Sequence, residues 1–230
     1  MSTKIIPCFA VSVGPCSAKP LWQRVLVYFI LLFAPLSAVA QPVNVESPFL
    51  HWEFRSSYMG EDGSFVTRDG RIRGQVSGDL SLGESAGGVA LLSEGGSGML
   101  LMGETYSDLK DILPQREITV SGWVSQEESQ EWGGLLGYLQ DNADYEKGWL
   151  LGSRKGQACL AIASKDRDDG DGNLTYLAGG ETMKPGQWYH IAGTYDGQRM
   201  VVYLNGKQVA ASEEQSGDIL YSQNAPFVLG

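Results

Sequence analysis

The sequence predicts an all-β fold in which two antiparallel sheets pack face to face. Three observations carry this expectation. The stretch WYHIAGTYDGQRMVVYLNGKQVA, residues 188–210, holds two Gly-containing turns, Asp196-Gly197 and Asn205-Gly206, with apolar runs on both sides of each. Such dipeptides tolerate the positive φ of a tight hairpin, so the segment reads as three strands in a meander. Its middle strand, Met200-Val201-Val202-Tyr203-Leu204, is apolar at every position. A strand wet on one side shows polar residues at alternate positions, so this one is expected to be covered on both faces. Turn signals also recur roughly every 8–12 residues over much of the chain, the rhythm of a sandwich or barrel.

The remaining elements follow in order. Residues 41–48 form a polar lead-in, and FLHWEF (49–54) reads as the first strand of the domain. Residues 55–87 are rich in Gly, Ser and charge and predict loops with short strands. GVALLS (88–93) and GMLLMG (98–103) read as strands joined by a Gly-rich turn. TYSDLKDIL (105–113) has room for one short helical turn, and no long amphipathic helix is evident. ITVSGWV (118–124), GGLLGYL (133–139), GWLLGS (148–153), ACLAIAS (158–164) and LTYLAG (174–179) are strands by composition. In the strand from Trp188 to Tyr195, Tyr189, Ile191 and Tyr195 share one face, and Trp188, His190 and Thr194 share the other.

The first 40 residues differ in kind. Lys4, Lys19 and Arg24 precede the apolar run VLVYFILLFAPLSAVA (25–40), and residues 1–40 hold no acid. Ala38-Val39-Ala40 fits a small-x-small cleavage site, so 1–40 reads as a secretory signal. The run is short for a bilayer span and Pro35 interrupts it, so a retained anchor is the poorer reading. Cleavage would leave 14 of the 17 Lys+Arg and all 27 Asp+Glu, a balance of 14 − 27 = −13 against −10 for the whole chain. Strong acidity argues against nucleic acid and anionic membrane surfaces, which call for basic patches. Cys8 and Cys16 would leave with the leader, so Cys159 could form no internal disulfide. It is expected to be a buried structural thiol.

Four stretches carry a resemblance to a known family. They are GMLLMGETYSDL (98–109), EITVSGWVSQEE (117–128), GWLLGSRKGQACLAIAS (148–164) and GQWYHIAGTYDGQRMVVYLNGKQVA (186–210). Together they resemble the laminin-G-like, concanavalin A-like lectin/glucanase jelly-roll family over about 49–230. The last stretch is the specific one, close to W-x-H-I-A-x-T-Y-D-G followed by Y-x-N-G-x-x-V. The resemblance implies a two-sheet antiparallel β-sandwich, a jelly roll with one concave sheet. Members usually continue past a V-L-G strand with a further closing strand. The resemblance therefore implies a sandwich lacking its C-terminal closing strand after Gly230, within a longer parent protein. It also implies attachment to secreted hydrolases, glycosidases or phosphoesterases, and calcium bound at the sandwich rim.

Catalytic signatures are missing. The glucanase pattern E-x-D-x-x-E does not occur, and Glu127, Glu128 and Glu131 lie in an interstrand turn where a charge run is a solvated face. His51 and His190 have no partner at zinc-ligand spacing. Neither G-x-S-x-G nor a phosphate-binding glycine loop is present. Two candidate sites remain. In KDRDDGDGN (165–173), Asp166, Asp168, Asp169 and Asp171 are candidate Ca²⁺ ligands, though the spacing is not that of an EF-hand. Trp132 and Tyr145, read as loop residues, are candidate stacking surfaces for sugar, whereas Trp123 and Trp188 fall in core-like strands. The expected function is an exported, non-catalytic recognition module, secreted, periplasmic or at the cell surface. It would bind polysaccharide or an extracellular protein, with Ca²⁺ as candidate cofactor, and would meet neither nucleic acid nor membrane once the leader is cleaved. The alternatives are an accessory domain of a secreted hydrolase whose catalytic residues lie beyond residue 230, and a structural or adhesion spacer.

Overall fold

The computed structural model describes residues 2–12, 49–85, 88–94, 98–142 and 145–230. Sixteen strands are seen among them: β1 (Ser2–Ser12), β2 (Leu50–Trp52), β3 (Phe65–Val66), β4 (Arg73–Ser77), β5 (Leu80–Ser85), β6 (Gly88–Glu94), β7 (Met99–Thr105), β8 (Ile118–Gln126), β9 (Trp132–Asp141), β10 (Glu146–Arg154), β11 (Gln157–Ala163), β12 (Leu174–Gly179), β13 (Tyr189–Tyr195), β14 (Met200–Leu204), β15 (Lys207–Ser212) and β16 (Asn224–Leu229). A single helical turn, α1 (Tyr106–Leu109), follows β7 where the sequence left room for one. Among the described residues no helix is long and apolar enough to cross a membrane.

The strands form two eight-stranded sheets, all of whose ladders are antiparallel. The first runs β15-β14-β13-β8-β1-β6-β5, with β2 paired to β1. The second runs β12-β11-β10-β9-β16-β7-β4-β3. The expected all-β sandwich is therefore the observed one.

Alternation explains which faces are buried. In β13, Tyr189, Ile191, Gly193 and Tyr195 point inward and the residues between them are half-buried, as the sequence requires. The meander turns are those expected. Asp196 Oδ1 accepts from the N–H groups of Gln198 and Arg199 at 2.9 and 2.8 Å. Asn205 and Gly206 both hold positive φ, +50° and +77°, as a two-residue hairpin demands. Trp123 departs from its expectation. It is 40% exposed, on the outer face of β8, where its ring meets His190 edge-on at 5.4 Å. Its buried neighbours in β8 are Val120, Gly122 and Val124, so alternation turns position 123 outward. Trp188 lies just before β13 and is only half-buried.

The core is an aromatic seam between the sheets. Phe227 on β16 takes Trp52 edge-on at 6.4 Å and Trp149 edge-on at 6.0 Å, and all three are essentially fully buried. Edge-to-face rings add specific geometry to the hydrophobic gain of burying large side chains. A buried polar latch fixes the chain after β15. The Gln215 side-chain carbonyl accepts from the N–H and hydroxyl of Ser164, at 2.9 and 2.6 Å, and its amide donates to the Asn173 carbonyl and the Thr175 hydroxyl.

The apolar run 25–40 and its cleavage site lie outside the described residues. Ser2–Ser12, at the head of the expected leader, is a strand of the first sheet. It pairs with β6 through Ser2–Ile5 and with β8 through Thr3–Ile6 and Ala10–Ser12. No other strand joins β6 to β8 among the described residues, so this strand makes the first sheet continuous. A chain beginning at Gln41 is therefore expected to leave the facing edges of β2, β6 and β8 unpaired. It should melt at a lower temperature than the full chain and self-associate on size-exclusion chromatography. Equal melting and monomeric elution of both would show that the sheet does not depend on Ser2–Ser12.

Candidate functional site

The second sheet presents a pocket on its outer face, and strand register explains how it is built. Directly opposed residues of antiparallel strands share a face. Trp132 opposes Arg154, which opposes Gln157. Gly134 opposes Gly152, which opposes Cys159 and then Ala178. Gly137 opposes Leu150, followed by Ala161 and Tyr176. Asp141 opposes Glu146. The other face carries the core rows, Leu136–Leu151–Leu160–Leu177 and Tyr138–Trp149–Ile162.

Trp132 and Asp141 are nine positions apart on β9 and in a regular strand would face opposite ways. A β-bulge resolves this. Leu151 opposes Leu136 but Gly152 opposes Gly134, so Leu135 is an extra residue in the ladder. The bulge turns Trp132 and Gly134 to the same face as Gly137, Leu139 and Asp141.

The result is a cavity of about 330 Å³ with a nearly bare floor and aromatic walls. The floor is Gly134, Gly152, Leu150 and Cys159. Gly152 has no alternative there, because a Cβ would run into the Gly133 carbonyl oxygen. The wall is Trp132 with Tyr176, ring centroids 4.6 Å apart and tilted by 59°. Trp132 remains 48% exposed. The Arg154 guanidinium lies 4.4 Å from the Trp132 ring centroid and 5.7 Å from that of Tyr176. The Lys155-Gly156 turn, with φ of +51° and +75°, follows Arg154 at once and sets it at the end of β10. Gln126 Nε2 donates to Ser153 Oγ at 2.8 Å, bracing β10 against β8 beside the pocket.

Burial sets the protonation states of Tyr176 and Cys159. The Tyr176 hydroxyl donates to Asp141. Burial first, then this hydrogen bond and the negative charges of Asp141 and Glu146, hold its phenol far above the ordinary range. Tyr176 is thus a permanent donor and Asp141 an acceptor oriented across the pocket. Burial pushes the Cys159 thiol up to about 11, with Arg154 opposing the rise. Cys159 is therefore neutral and serves as small apolar floor, as expected of a structural thiol.

The sequence-predicted site residues separate here. Trp132 opens β9 instead of lying in a loop, and it lines the pocket. Tyr145 sits immediately before β10, is 48% exposed, and has the Lys147 ammonium 5.5 Å from its ring centroid. It is not part of the pocket lining. Asp166, Asp168, Asp169 and Asp171 are exposed in the β11–β12 connection. Asp168 Oδ1 caps its own turn by accepting from Gly170 N–H at 2.9 Å, and the Asp166 carboxylate lies against Gly217. Among the described residues no group of three or more His, Cys, Asp or Glu side chains is placed to hold a metal ion. Arg154, Tyr176, Asp141 and the glycine floor were not singled out from sequence. The recurrent glycines of GGLLGYL and GWLLGS were the available signal, but only the register shows that Gly134 and Gly152 meet.

Residues 101–230, more than half of the chain, match the profile of the concanavalin A-like lectin/glucanases superfamily in its laminin-G form. The chain belongs to this superfamily. Among curated proteins, this superfamily member is 33% identical over 114 residues to pappalysin-1 of Mus musculus and 32% identical over 120 residues to pappalysin-1 of Homo sapiens. In each case 46% of the chain is matched against 7% of the relative. The match is thus to one small portion of a much longer protein. Among solved structures, domain 4 of the extracellular arabinanase AbnA from Geobacillus stearothermophilus, in complex with arabinotriose, superposes with a TM-score of 0.53 at 19% identity. The match covers 75% of this chain and 81% of that one. At that identity the likeness is one of fold.

The floor makes a direct prediction. Gly152→Val forces β9 away from β10 at the bulge and should destabilise the domain by about 1–3 kcal/mol, as overpacking does. Urea denaturation measures it. An unchanged midpoint would mean that the strands have slack at the pocket floor.

Proposed function

We propose that the chain is a non-catalytic carbohydrate-recognition module and that its sugar site is the pocket walled by Trp132 and Tyr176. The observation that carries this reading is a large, half-exposed indole beside a shallow floor of two glycines, Leu150 and Cys159. Pyranose and furanose rings present C–H faces that stack on aromatic rings and hydroxyls that need fixed donors and acceptors. Trp132 and Tyr176 supply the first requirement, and Asp141 supplies an acceptor for the second. Membership of the superfamily supports the reading, and the fold it shares with an arabinanase domain solved with arabinotriose is consistent with it. We also propose that the chain acts outside the cell, on the strength of its leader-like N-terminus and its acidity. The short span matched in pappalysin-1 favours a second reading, in which the module serves a longer parent protein as its recognition domain.

Titration calorimetry with neutral oligosaccharides, arabinotriose, xylotriose and cellotriose, tests the site. At least one should bind, and Trp132→Ala should weaken it about five- to thirtyfold, since stacking on one ring contributes on the order of 1–2 kcal/mol. Loss of Tyr145 should have little effect. Binding that survives Trp132→Ala would place the sugar elsewhere.

The proposed site uses no metal. Asp166, Asp168, Asp169 and Asp171 lie outside the pocket lining, and among the described residues no three acidic side chains stand grouped as Ca²⁺ requires. Dialysis against EDTA is expected to leave both melting temperature and sugar affinity unchanged. A fall in either, reversed by added Ca²⁺ and abolished in Asp168→Ala, would reinstate the acidic loop as a calcium site.

A further inference from the structure

Resting on the sugar-site reading above, we propose that the preferred ligand of this pocket is an acidic glycan residue, a uronate whose single carboxylate is taken by Arg154. Arg154 is half-buried on β10 and its guanidinium rests on the rings of Trp132 and Tyr176. Among the described residues no carboxylate forms an ion pair with it. Other arginines near acids are paired: Arg68 with Glu53, Arg71 with Asp69, Arg116 with Asp218. Arg154 is not itself part of the pocket lining, but in a chain with 27 acidic and 17 basic residues an unpaired guanidinium held against the two rings that wall the cavity stands out. Stacking on rings leaves the N–H edge of the fork free, and that edge matches a carboxylate bidentately.

The rest of the pocket selects against other anions. Asp141 lies among the lining residues, its carboxylate engaged by the Tyr176 hydroxyl, and it repels a second negative group on its side. It accepts hydroxyl donors instead. The pocket is therefore polar in a directed way, with a cationic fork on the aromatic wall and an acceptor elsewhere on the lining. A uronate ring fits both: one carboxylate, several hydroxyls and an apolar ring face. An acidic peptide carries no hydroxyl pair for Asp141.

The test compares trigalacturonate with its carboxyl-reduced counterpart, which keeps the rings and loses the charge. Calorimetry at low ionic strength should show the acid binding about tenfold more tightly than the reduced trimer. Arg154→Gln should abolish that preference, so that the acid and the reduced trimer bind with the same affinity to within about twofold. Arg154→Lys, which keeps the charge but not the fork, should retain part of it. The preference should shrink as salt is raised, because a surface-facing ion pair is screened. Far-ultraviolet circular dichroism of each variant confirms folding. Equal affinity for the two trimers, or a preference that survives Arg154→Gln, overturns the proposal and leaves the sugar site standing. If neither trimer binds but neutral arabinotriose or xylotriose does, the class named here is wrong and the site reading survives. If binding of every sugar is untouched by Trp132→Ala, both fail together. Tighter binding of an acidic tripeptide than of trigalacturonate also overturns the proposal.

Discussion

One extra residue in one ladder governs the geometry of this molecule. With Leu135 inserted against the β10 strand, β9 changes parity within the pocket. Leu136 and Tyr138 then face the core on one side of the sheet, while Trp132, Gly134, Gly137 and Asp141 face outward on the other. A bulge costs local ladder hydrogen bonds, and it persists because the neighbouring rows over-determine it. On the core side Leu136 joins a row of leucines, and Tyr138 stands over Trp149 with its hydroxyl donating to the Ser222 carbonyl at 3.0 Å. Slipping the register by one would expel this whole set into water.

The core supports the bulge from behind. Phe227 sits between Trp52 and Trp149, so its strand is held by rings from both sheets. β16 in turn lies beside β9, opposing Phe227 to Tyr138 and Leu229 to Leu136. The rigid part of the pocket is therefore its floor, made from strands with buried neighbours on the inner side. The wall is less constrained, since Trp132 opens its strand and is half in solvent. Such a division suits recognition, with a fixed platform and a ring able to settle against what lies on it.

Much of the fold was legible because alternation and turn chemistry are local. The strand of 189–195 buries the residues that its period of two assigns inward, and the Asn205-Gly206 turn adopts the φ values that its residues invite. Trp123 was misread because tryptophan in a strand was equated with core, whereas the positions flanking it are the buried ones. The site was much less legible. Trp132 was recognised, but as a loop residue, and its partners were not. Tyr176 is 44 positions away and Arg154 22 positions away, and what unites them is register across four strands, a non-local property. The acidic run 165–173 was conspicuous in sequence because its charges are adjacent. Adjacency along a chain does not make side chains converge, and here Asp168 caps its own turn while the Asp166 carboxylate lies against Gly217.

The glycine floor also constrains how this pocket could change over evolutionary time. A binding site lined by large side chains can be retuned by trimming or exchanging any of them. This one has little to trim beneath the ligand, and additions at Gly152 collide with the backbone of the neighbouring strand. Any change in what this pocket could accept, in descendants of this sequence or in engineered libraries built on it, must come through Trp132, Tyr176 and Asp141 on the lining and Arg154 against the two rings. Diversity would accumulate at those positions while the small residues between them stayed fixed. Two homologues could then share a nearly identical platform and read quite different molecules.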